Sequence, residues 1–413
     1  MSKKKTILID IIDPRTSKED ALKSMDELVS LVSTYNGVVV EKVIQKRATA
    51  DYDTYIGKGK VDEVIEIAKE MGADLVIVNQ LLKPRQTWNL TEKFREEKVE
   101  VEVWDRVDLI LKIFSKHAKS TEAKLQIKLA SIRHMGPRIF GMGTELSRQD
   151  GAVGVRAGQG ESNIEMMKRH LRKQEILLLK KLEHYQAIRK GHRERRRRNN
   201  FKTIAIVGYT NAGKSSLLNA LTGKGAYVAD ELFATLDTRV GKLYICAENE
   251  GKPCEYQRGT EVLLSDTIGF IQNLPPSLIK AFKSTLAETI DADIIMHVID
   301  ASDPEIEMKI QVVEEILEQL DAHEKPKMYV FNKVDQVEIL RKEDDEIEED
   351  LQKPGIIEAS KDAAQILGWD DKNEKVMFRK EFLEKYNEFS PVLVSATRKL
   401  NFDKLKQIIK KMV

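Results

Sequence analysis

The sequence predicts an α/β protein in three parts. A small α/β subdomain covers residues 1–105, a long helical hairpin covers 106–200, and a larger domain with a mostly parallel sheet flanked by helices covers 201–413. Three observations predict this. Short apolar runs alternate with helical periodicity through the first part. Helical spacing then dominates to residue 198, interrupted by a glycine-dense stretch. Finally, an apolar strand-like run enters Gly208-Tyr209-Thr210-Asn211-Ala212-Gly213-Lys214-Ser215 and leaves as a helix.

In the first part, residues 6–12 and 38–43 are β-rich, although Asp10 interrupts the first run. Residues 17–34 carry Leu22, Met25, Leu28, Val29 and Val32 at helical spacing, with Ser17 as the expected N-cap. A helix over 60–71 precedes a short buried-type strand at 74–78, and another strand follows at 99–104. Gly57-Lys58-Gly59-Lys60 reads as a turn with surface lysines, or as a phosphate-contacting loop before a helix.

The whole chain of 413 residues has a net charge of +1, which hides a cancellation. Residues 1–105 hold 17 Lys and Arg against 20 Asp and Glu, net −3, and residues 203–413 hold 27 against 38, net −11. Residues 106–202 hold 24 against 9, net +15, which points to a polyanionic partner for the middle part alone. No apolar run approaches the ~18 residues of a membrane span. The Met1–Lys5 start lacks the apolar core of a secretory signal. Cys246 and Cys254 supply neither a disulfide framework nor a zinc ligand set. The expectation is a cytoplasmic monomer with at most peripheral membrane association.

The middle part reads as one helix over 106–134, with Leu109, Ile113, Leu125, Leu129 and Ile132, and a second over 162–198, with Ile164, Met167, Leu171, Leu178 and Leu182. Between them lies a tip at 135–161 that holds 7 of the chain's 22 glycines. A structureless tip of this length is either functional or a connector. Arg138, Arg148 and Arg156 are interleaved with these glycines, a composition suited to irregular RNA. They are the expected RNA contacts. The basic run Arg195–Arg198 is weaker evidence, because helix C-termini favour cations.

The third part carries the sharpest chemistry. Strand, Gly208–Ser215 and the helix opened by Ser216 form a phosphate-binding P-loop. Backbone N–H groups cradle phosphates, Lys214 reaches the β- and γ-phosphates, and the Ser215 hydroxyl faces Mg²⁺. Asp266-Thr267-Ile268-Gly269 ends a second apolar run. Asp266 suits Mg²⁺, and the Gly269 N–H suits a γ-phosphate. Asn332-Lys333-Val334-Asp335 ends a third run. The Asp335 carboxylate can accept both N1–H and the 2-amino group of guanine, a donor pair that adenine lacks. Ser395-Ala396-Thr397 ends a fourth, with a backbone N–H for guanine O6. Phe233-Ala234-Thr235-Leu236-Asp237 lies where a γ-phosphate-sensing loop belongs, and Thr235 would complete the Mg²⁺ shell. Lys214, Thr235 and Gly269 are the expected catalytic groups, with GTP as substrate and GDP as product. Residues 336–390 form an insertion longer than such a domain needs.

With these motifs the chain resembles the HflX family of translational GTPases, within the Obg–HflX group. The resemblance rests on Tyr55-Ile56-Gly57-Lys58-Gly59-Lys60, Gly141-Met142-Gly143-Thr144-Glu145-Leu146-Ser147-Arg148-Gln149, Phe233–Asp237 and Asp266–Phe270. It implies a protein that binds the large ribosomal subunit and its rRNA and splits, rescues or recycles ribosomes, its tip reaching towards the peptidyl-transferase centre. Two features depart from the family pattern. The usual Gly-Pro-Gly-Glu-Thr is Gly158-Gln159-Gly160-Glu161-Ser162, and the last G-domain helix is expected to close the chain, as in shorter members. Phe270 stands where related enzymes carry a water-orienting Gln, so slow intrinsic hydrolysis stimulated by a partner is expected. Asn211 occupies a position where some related GTPases hold K⁺. On the residues alone, a nucleotide-sensing RNA-binding scaffold and a GTPase serving RNA modification remain alternatives.

Overall fold

The structure, a computed structural model, describes residues 3–17, 22, 25–149, 157–199, 201–223, 232–233, 239–246, 259–272, 275, 278, 286–336, 389 and 391–413; side chains are left out at 139–149, 157–164, 193, 197 and 246. The chain divides into two compact units: Met1–Ala187 with Pro275–Ala281, and Ile188–Leu274 with Phe282–Val413. The expected insertion at 336–390 lies almost wholly outside the described residues.

In the first unit, β1 (Lys4–Ile12), β2 (Gly37–Lys46), β3 (Leu75–Val78) and β4 (Glu102–Asp105) form a sheet in the order β2-β1-β3-β4. Every pairing in it is parallel. Parallel strands covered on both faces are continuously apolar, and all four residues of β3 are buried. The flanking helices are α1 (Asp26–Tyr35), α2 (Lys58–Met71), α3 (Pro84–Glu96) and α4 (Arg106–His117). Leu22 is helical and α1 runs from Asp26; residues 18–21, directly behind the expected N-cap Ser17, lie outside the described residues. Gly57 is the N-cap of α2, and its N–H donates to Gln45 Oε1 at 2.8 Å, so the glycine–lysine turn is tied to β2.

Asp10 does not break β1. It stays buried in the strand because Asn79 Nδ2 donates to it at 2.7 Å, Tyr55 Oη at 3.1 Å and the Ile11 N–H at 2.8 Å. Burial raises its carboxyl above the ordinary range. Arg106 Nη1 in turn donates to Asn79 Oδ1 at 2.9 Å, and its Nη2 pairs with Glu27. A buried polar group costs little only when satisfied in this way.

The single helix expected over 106–134 is two. The chain turns extended at Ala118, and α5 (Thr121–Gln149) starts afresh with Ser120 Oγ accepting from the Ala123 N–H at 3.1 Å. The glycine-rich tip is also more regular than expected. α5 runs through Gly136, Pro137, Gly141 and Gly143 to Gln149, and α6 (Ala157–Arg198) resumes eight residues later. An interior glycine costs a helix only about 1 kcal/mol, and this one is anchored. His134 and Arg138, one turn apart, both reach the acid pair of the α4 capping box. Arg138 Nη1 donates to Asp108 Oδ2 at 2.6 Å and Nη2 pairs with Asp105, while His134 Nε2 lies 3.2 Å from a carboxylate oxygen of each. Arg138, expected to contact RNA, is therefore largely buried with two carboxylates as partners. The side chain of Arg148 and all of Arg156 lie outside the described residues.

α5 and α6 pair through Leu129, Leu178 and Leu182, and Arg133 Nε meets Glu175 Oε1 at 2.8 Å. Met167, read as facing a partner helix, is instead exposed, as are Ile176 and Leu177. No described helix is long and apolar enough to cross a membrane.

In the second unit the strands are β5 (Lys202–Val207), β6 (Arg239–Cys246), β7 (Gly259–Asp266), β8 (Ile294–Asp300), β9 (Lys327–Asn332) and β10 (Val392–Leu393). Among the described residues they form one sheet in the order β10-β9-β8-β5-β7-β6, parallel except for β6 against β7. The helices are α7 (Lys214–Thr222), α8 (Ala287–Asp291), α9 (Ile306–Gln319) and α10 (Phe402–Met412). Ile204, Ile206, Leu217, Val262, Met296, Val330 and Leu405 form the centre of one core, which fixes the C-terminal strand ends and the loops they carry.

The acid pair sets a pH dependence in the first unit. Asp105 and Asp108 raise the His134 imidazolium from its ordinary 6.5 to about 9, against the opposing effect of burial. A raised pKa stabilises the fold fully below the unfolded value and loses that contribution as pH rises through the folded one. The thermal midpoint should therefore fall between pH 6.5 and about 9. The loss should be on the order of 1–3 kcal/mol, and His134→Gln should abolish this segment of the profile in thermal melts.

Candidate nucleotide-binding site

The site is built at the C-terminal ends of parallel strands, where open α/β sheets bind ligands. β5 runs out at Val207 into Gly208–Gly213, and α7 starts at Lys214. The turn needs left-handed backbone at Asn211 (φ 62°) and Gly213 (φ 86°). A Cβ on Gly213 would stand 2.2 Å from Asn332 Nδ2, so only glycine fits.

Lys214 is buried and curls back over its own loop. Its ammonium donates to the Tyr209 carbonyl at 2.6 Å and the Gly208 carbonyl at 3.1 Å. Burial lowers its pKa to about 8, with the Asp266 carboxylate opposing the fall and the Lys333 ammonium adding to it. A buried cation held by carbonyls beside a loop of backbone N–H groups is a receptor for an anion. Thr210 Oγ1 is also buried with no hydrogen-bond partner.

β7 delivers Asp266 to the same place. Ser215 Oγ donates to Asp266 Oδ2 at 2.6 Å, so a hydroxyl and a buried carboxylate converge beside the start of α7. These are the hard oxygen ligands that Mg²⁺ prefers. Thr267 Oγ1 donates to the Ile206 carbonyl at 2.8 Å, locking β7 onto β5, and Ile268 is buried. The next residues pair with the P-loop itself. The Thr210 N–H donates to the Phe270 carbonyl at 2.8 Å, and the Phe270 N–H to the Gly208 carbonyl at 3.1 Å. Gly269 is thereby pressed against the loop, since a Cβ on it would fall 3.0 Å from Lys214 Nζ. The Phe270 side chain is 1% exposed and belongs to the interior.

The base-contacting loops are cross-linked through one side chain. Asn332 Nδ2 donates to the Ala212 carbonyl at 3.0 Å, and Asn332 Oδ1 accepts from the Ala396 N–H at 3.0 Å. Lys333 adopts left-handed backbone (φ 61°), and its ammonium pairs with Asp300 at 2.8 Å. Val334 is buried, and its N–H donates to the Val394 carbonyl at 3.3 Å. Asp335 Oδ2 accepts from Thr397 Oγ1 at 3.3 Å, while Asp335 Oδ1 is buried with no hydrogen-bond partner. Ser395 Oγ accepts from the Arg398 N–H at 3.1 Å and closes the last loop. A buried carboxylate oxygen without a donor marks a place where a ligand N–H belongs.

The expected residues of the P-loop, the Asp266–Gly269 segment, Asn332–Asp335 and Ser395–Thr397 thus gather in one region. Ser216 follows Ser215 in the first turn of α7, which starts at Lys214. Phe233 is buried in left-handed backbone at φ 59°, which a bulky residue adopts only under constraint from its surroundings. Ala234, Thr235, Leu236 and Asp237 lie outside the described residues. One contributor escaped the sequence reading. Asp300 holds Lys333 and also accepts from Ser302 Oγ at 2.6 Å; its signal was an acid ending an apolar strand. Tyr209 Oη accepts from the Gln272 N–H at 2.8 Å, clamping the chain beyond Phe270.

Comparison with known proteins agrees with this geometry. Residues 203–333 match the family described as 50S ribosome-binding GTPase. Residues 22–115 match the GTP-binding GTPase N-terminal family, and 117–196 match the GTP-binding GTPase Middle Region. The GTPase HflX of Caldanaerobacter subterraneus subsp. tengcongensis is 44% identical over 338 residues, 82% of this chain and 74% of that protein. The GTPase HflX of Flavobacterium psychrophilum is 33% identical over 406 residues, 98% of this chain and 89% of that protein. The GTPase HflX of Methanocaldococcus jannaschii is 38% identical over 322 residues, 76% and 73%.

Removing the cross-link should be costly. Asn332→Ala deletes two buried hydrogen bonds, each worth about 1 kcal/mol net, and strands their partners at about 1–3 kcal/mol each. GDP affinity, measured by titration calorimetry, should fall by about ten- to a hundredfold, and thermal unfolding of the chain should shift down.

Proposed function

The chain belongs to the HflX family of GTPases, and we propose from that premise that it docks on the large ribosomal subunit through rRNA and uses GTP hydrolysis to time its release while splitting, rescuing or recycling ribosomes. The observation that carries the nucleotide half is the convergence of Lys214, Asp266, Asn332 and Asp335 at one end of the sheet, with the Asp335 Oδ1 atom buried and awaiting donors. Support for the ribosomal half comes from the net +15 of residues 106–202 and from the match of residues 203–333 to the 50S ribosome-binding GTPase family.

In this reading Asp335 accepts the guanine N1–H and 2-amino group, and the backbone of the Ser395–Thr397 loop faces O6. Asn332 holds the P-loop and the Ser395–Thr397 loop at the right separation. Lys214 keeps its protons and redirects its N–H donors from the Gly208 and Tyr209 carbonyls to the β- and γ-phosphates. Ser215, Asp266 and Thr235 would hold Mg²⁺, which supplies charge neutralisation at those phosphates. The Gly269 N–H binds the γ-phosphate. Phe270 presents no polar group where a Gln would orient water, so unaided hydrolysis is slow and the ribosome supplies the missing contact. Arg148 and Arg156 remain the proposed RNA contacts of the tip, whereas Arg138 acts by bracing α5 on α4. Asn211, at the left-handed turn of the loop, is the proposed neighbour of K⁺.

Three outcomes test this reading. In sedimentation, the protein with a non-hydrolysable GTP analogue should travel with large subunits more than with GDP; equal distribution would remove the nucleotide-timed docking. Asp335→Asn should lose guanine nucleotides by at least about a hundredfold, since a charged double hydrogen bond is lost, and should gain affinity for xanthine nucleotides. Exchanging K⁺ for Na⁺ should slow hydrolysis; equal rates with and without ribosomes would remove the role given to Asn211.

A further inference from the structure

The end of α6 and the outer strands of the second unit enclose a cavity of about 430 Å³ that is separate from the nucleotide loops. Its wall carries Arg189, Arg195 and Arg196 from α6 and Lys242 from β6, with His192 beside them. Phe201, Val240 and Leu263 give it an apolar floor. Glu261 meets Lys242 from the neighbouring strand at 3.2 Å.

A helix C-terminus attracts cations within its last turn, and that alone would explain Arg195 and Arg196. It does not explain Arg189 and His192, which lie further back on α6, or Lys242, which comes from a different element. The chain also turns to present Phe201 here: the Asn199 N–H donates to the Arg195 carbonyl at 3.2 Å and the Phe201 N–H to the Arg196 carbonyl at 3.1 Å. Lys242 Nζ stands 5.2 Å from the Phe201 ring centroid, so a cation and an aromatic face already share the cavity. Forked guanidiniums for phosphate oxygens, set around an apolar floor that can receive a base or ribose, are what a single-stranded nucleic acid requires.

We propose that this cavity is a second RNA-binding site, distinct from the tip, which takes consecutive phosphodiesters and one unstacked base of a single-stranded RNA segment. The choice of RNA among polyanions rests on the ribosomal reading above. The position also gives the site a route to the nucleotide. β6, which carries Val240 and Lys242, begins at Arg239, two residues beyond the Phe233–Asp237 motif, and β7, which carries Leu263, ends at Asp266. RNA seated here bears on the two strands that lead to the proposed Mg²⁺ ligands Thr235 and Asp266.

The test uses the full chain, a labelled oligouridylate, and the triple variant Arg195→Gln, Arg196→Gln, Lys242→Gln. Fluorescence anisotropy should show affinity reduced at least about tenfold, and the slope of log affinity against log salt should flatten by about 2, the share of three phosphate contacts on a single strand. GDP affinity should be unchanged, which certifies the fold. Phe201→Leu should weaken RNA binding about fivefold or more through lost stacking, with the salt slope preserved. Unaltered affinity and slope in the triple variant, or a wild-type chain that ignores the oligonucleotide, would overturn the proposal. So would wild-type binding of uridine monophosphate or pyrophosphate as tight as that of the oligonucleotide, which would make the site one for small phosphates. If RNA binding depends on the triple while the wild type fails to sediment with large subunits, the cavity stands and the ribosomal reading falls. If sedimentation persists and the oligonucleotide result is negative, the reverse holds.

Discussion

The second unit is organised around a fully enclosed ammonium. Lys214 is buried, and water cannot solvate its charge, so the loop before it wraps until two of its own carbonyls do so. That requirement shapes what surrounds it. The turn passes through left-handed backbone at Asn211 and Gly213, and Gly269 must lack a side chain because a Cβ there would fall within 2.9 Å of the Thr210 backbone and 3.0 Å of the ammonium. Asp266 is close enough to oppose the burial penalty, yet spends one carboxylate oxygen on Ser215. A cation so enclosed is held at a cost that an incoming anion relieves, so the empty loop is already arranged for phosphate.

Loops of this kind are only as accurate as the struts between them. Here the struts are single buried polar side chains. Asn332 spans from Ala212 to Ala396, Thr267 ties β7 to β5, and Asp300 holds Lys333. The first unit uses the same device without a nucleotide loop: Asp10, Asn79 and Arg106 join strand ends, and Asp105 with Asp108 receives His134 and Arg138. In both units the apolar strands fix position and the satisfied polar groups fix the geometry between loops.

Most of the nucleotide loops could be read from the sequence, because each follows directly from a buried strand and its chemistry sits within three to eight consecutive residues. The order of the motifs even matched the order of the strands that carry them. What could not be read depended on pairing between distant positions. Arg138 looks like an RNA contact among glycines, but its partners lie 30 and 33 residues earlier on the cap of α4. The same anchor explains why α5 continues through a stretch whose glycines suggested a loop. The break at Ala118 was missed for the opposite reason: apolar spacing continues on both sides, and only the Ser120 cap marks the new start. Local signals of phosphate chemistry are strong, whereas a basic residue's partner is decided by tertiary structure.

On the proposed function, the nucleotide site hydrolyses GTP slowly until the ribosome supplies the missing contact. Single-turnover GTP hydrolysis, followed with and without purified large subunits, tests this most directly. The buried Phe270 and the absence of a polar group from its side chain predict a low basal rate and an increase of at least about a hundredfold on adding subunits. A basal rate that is already fast, or a slow one that large subunits leave unchanged, would contradict it.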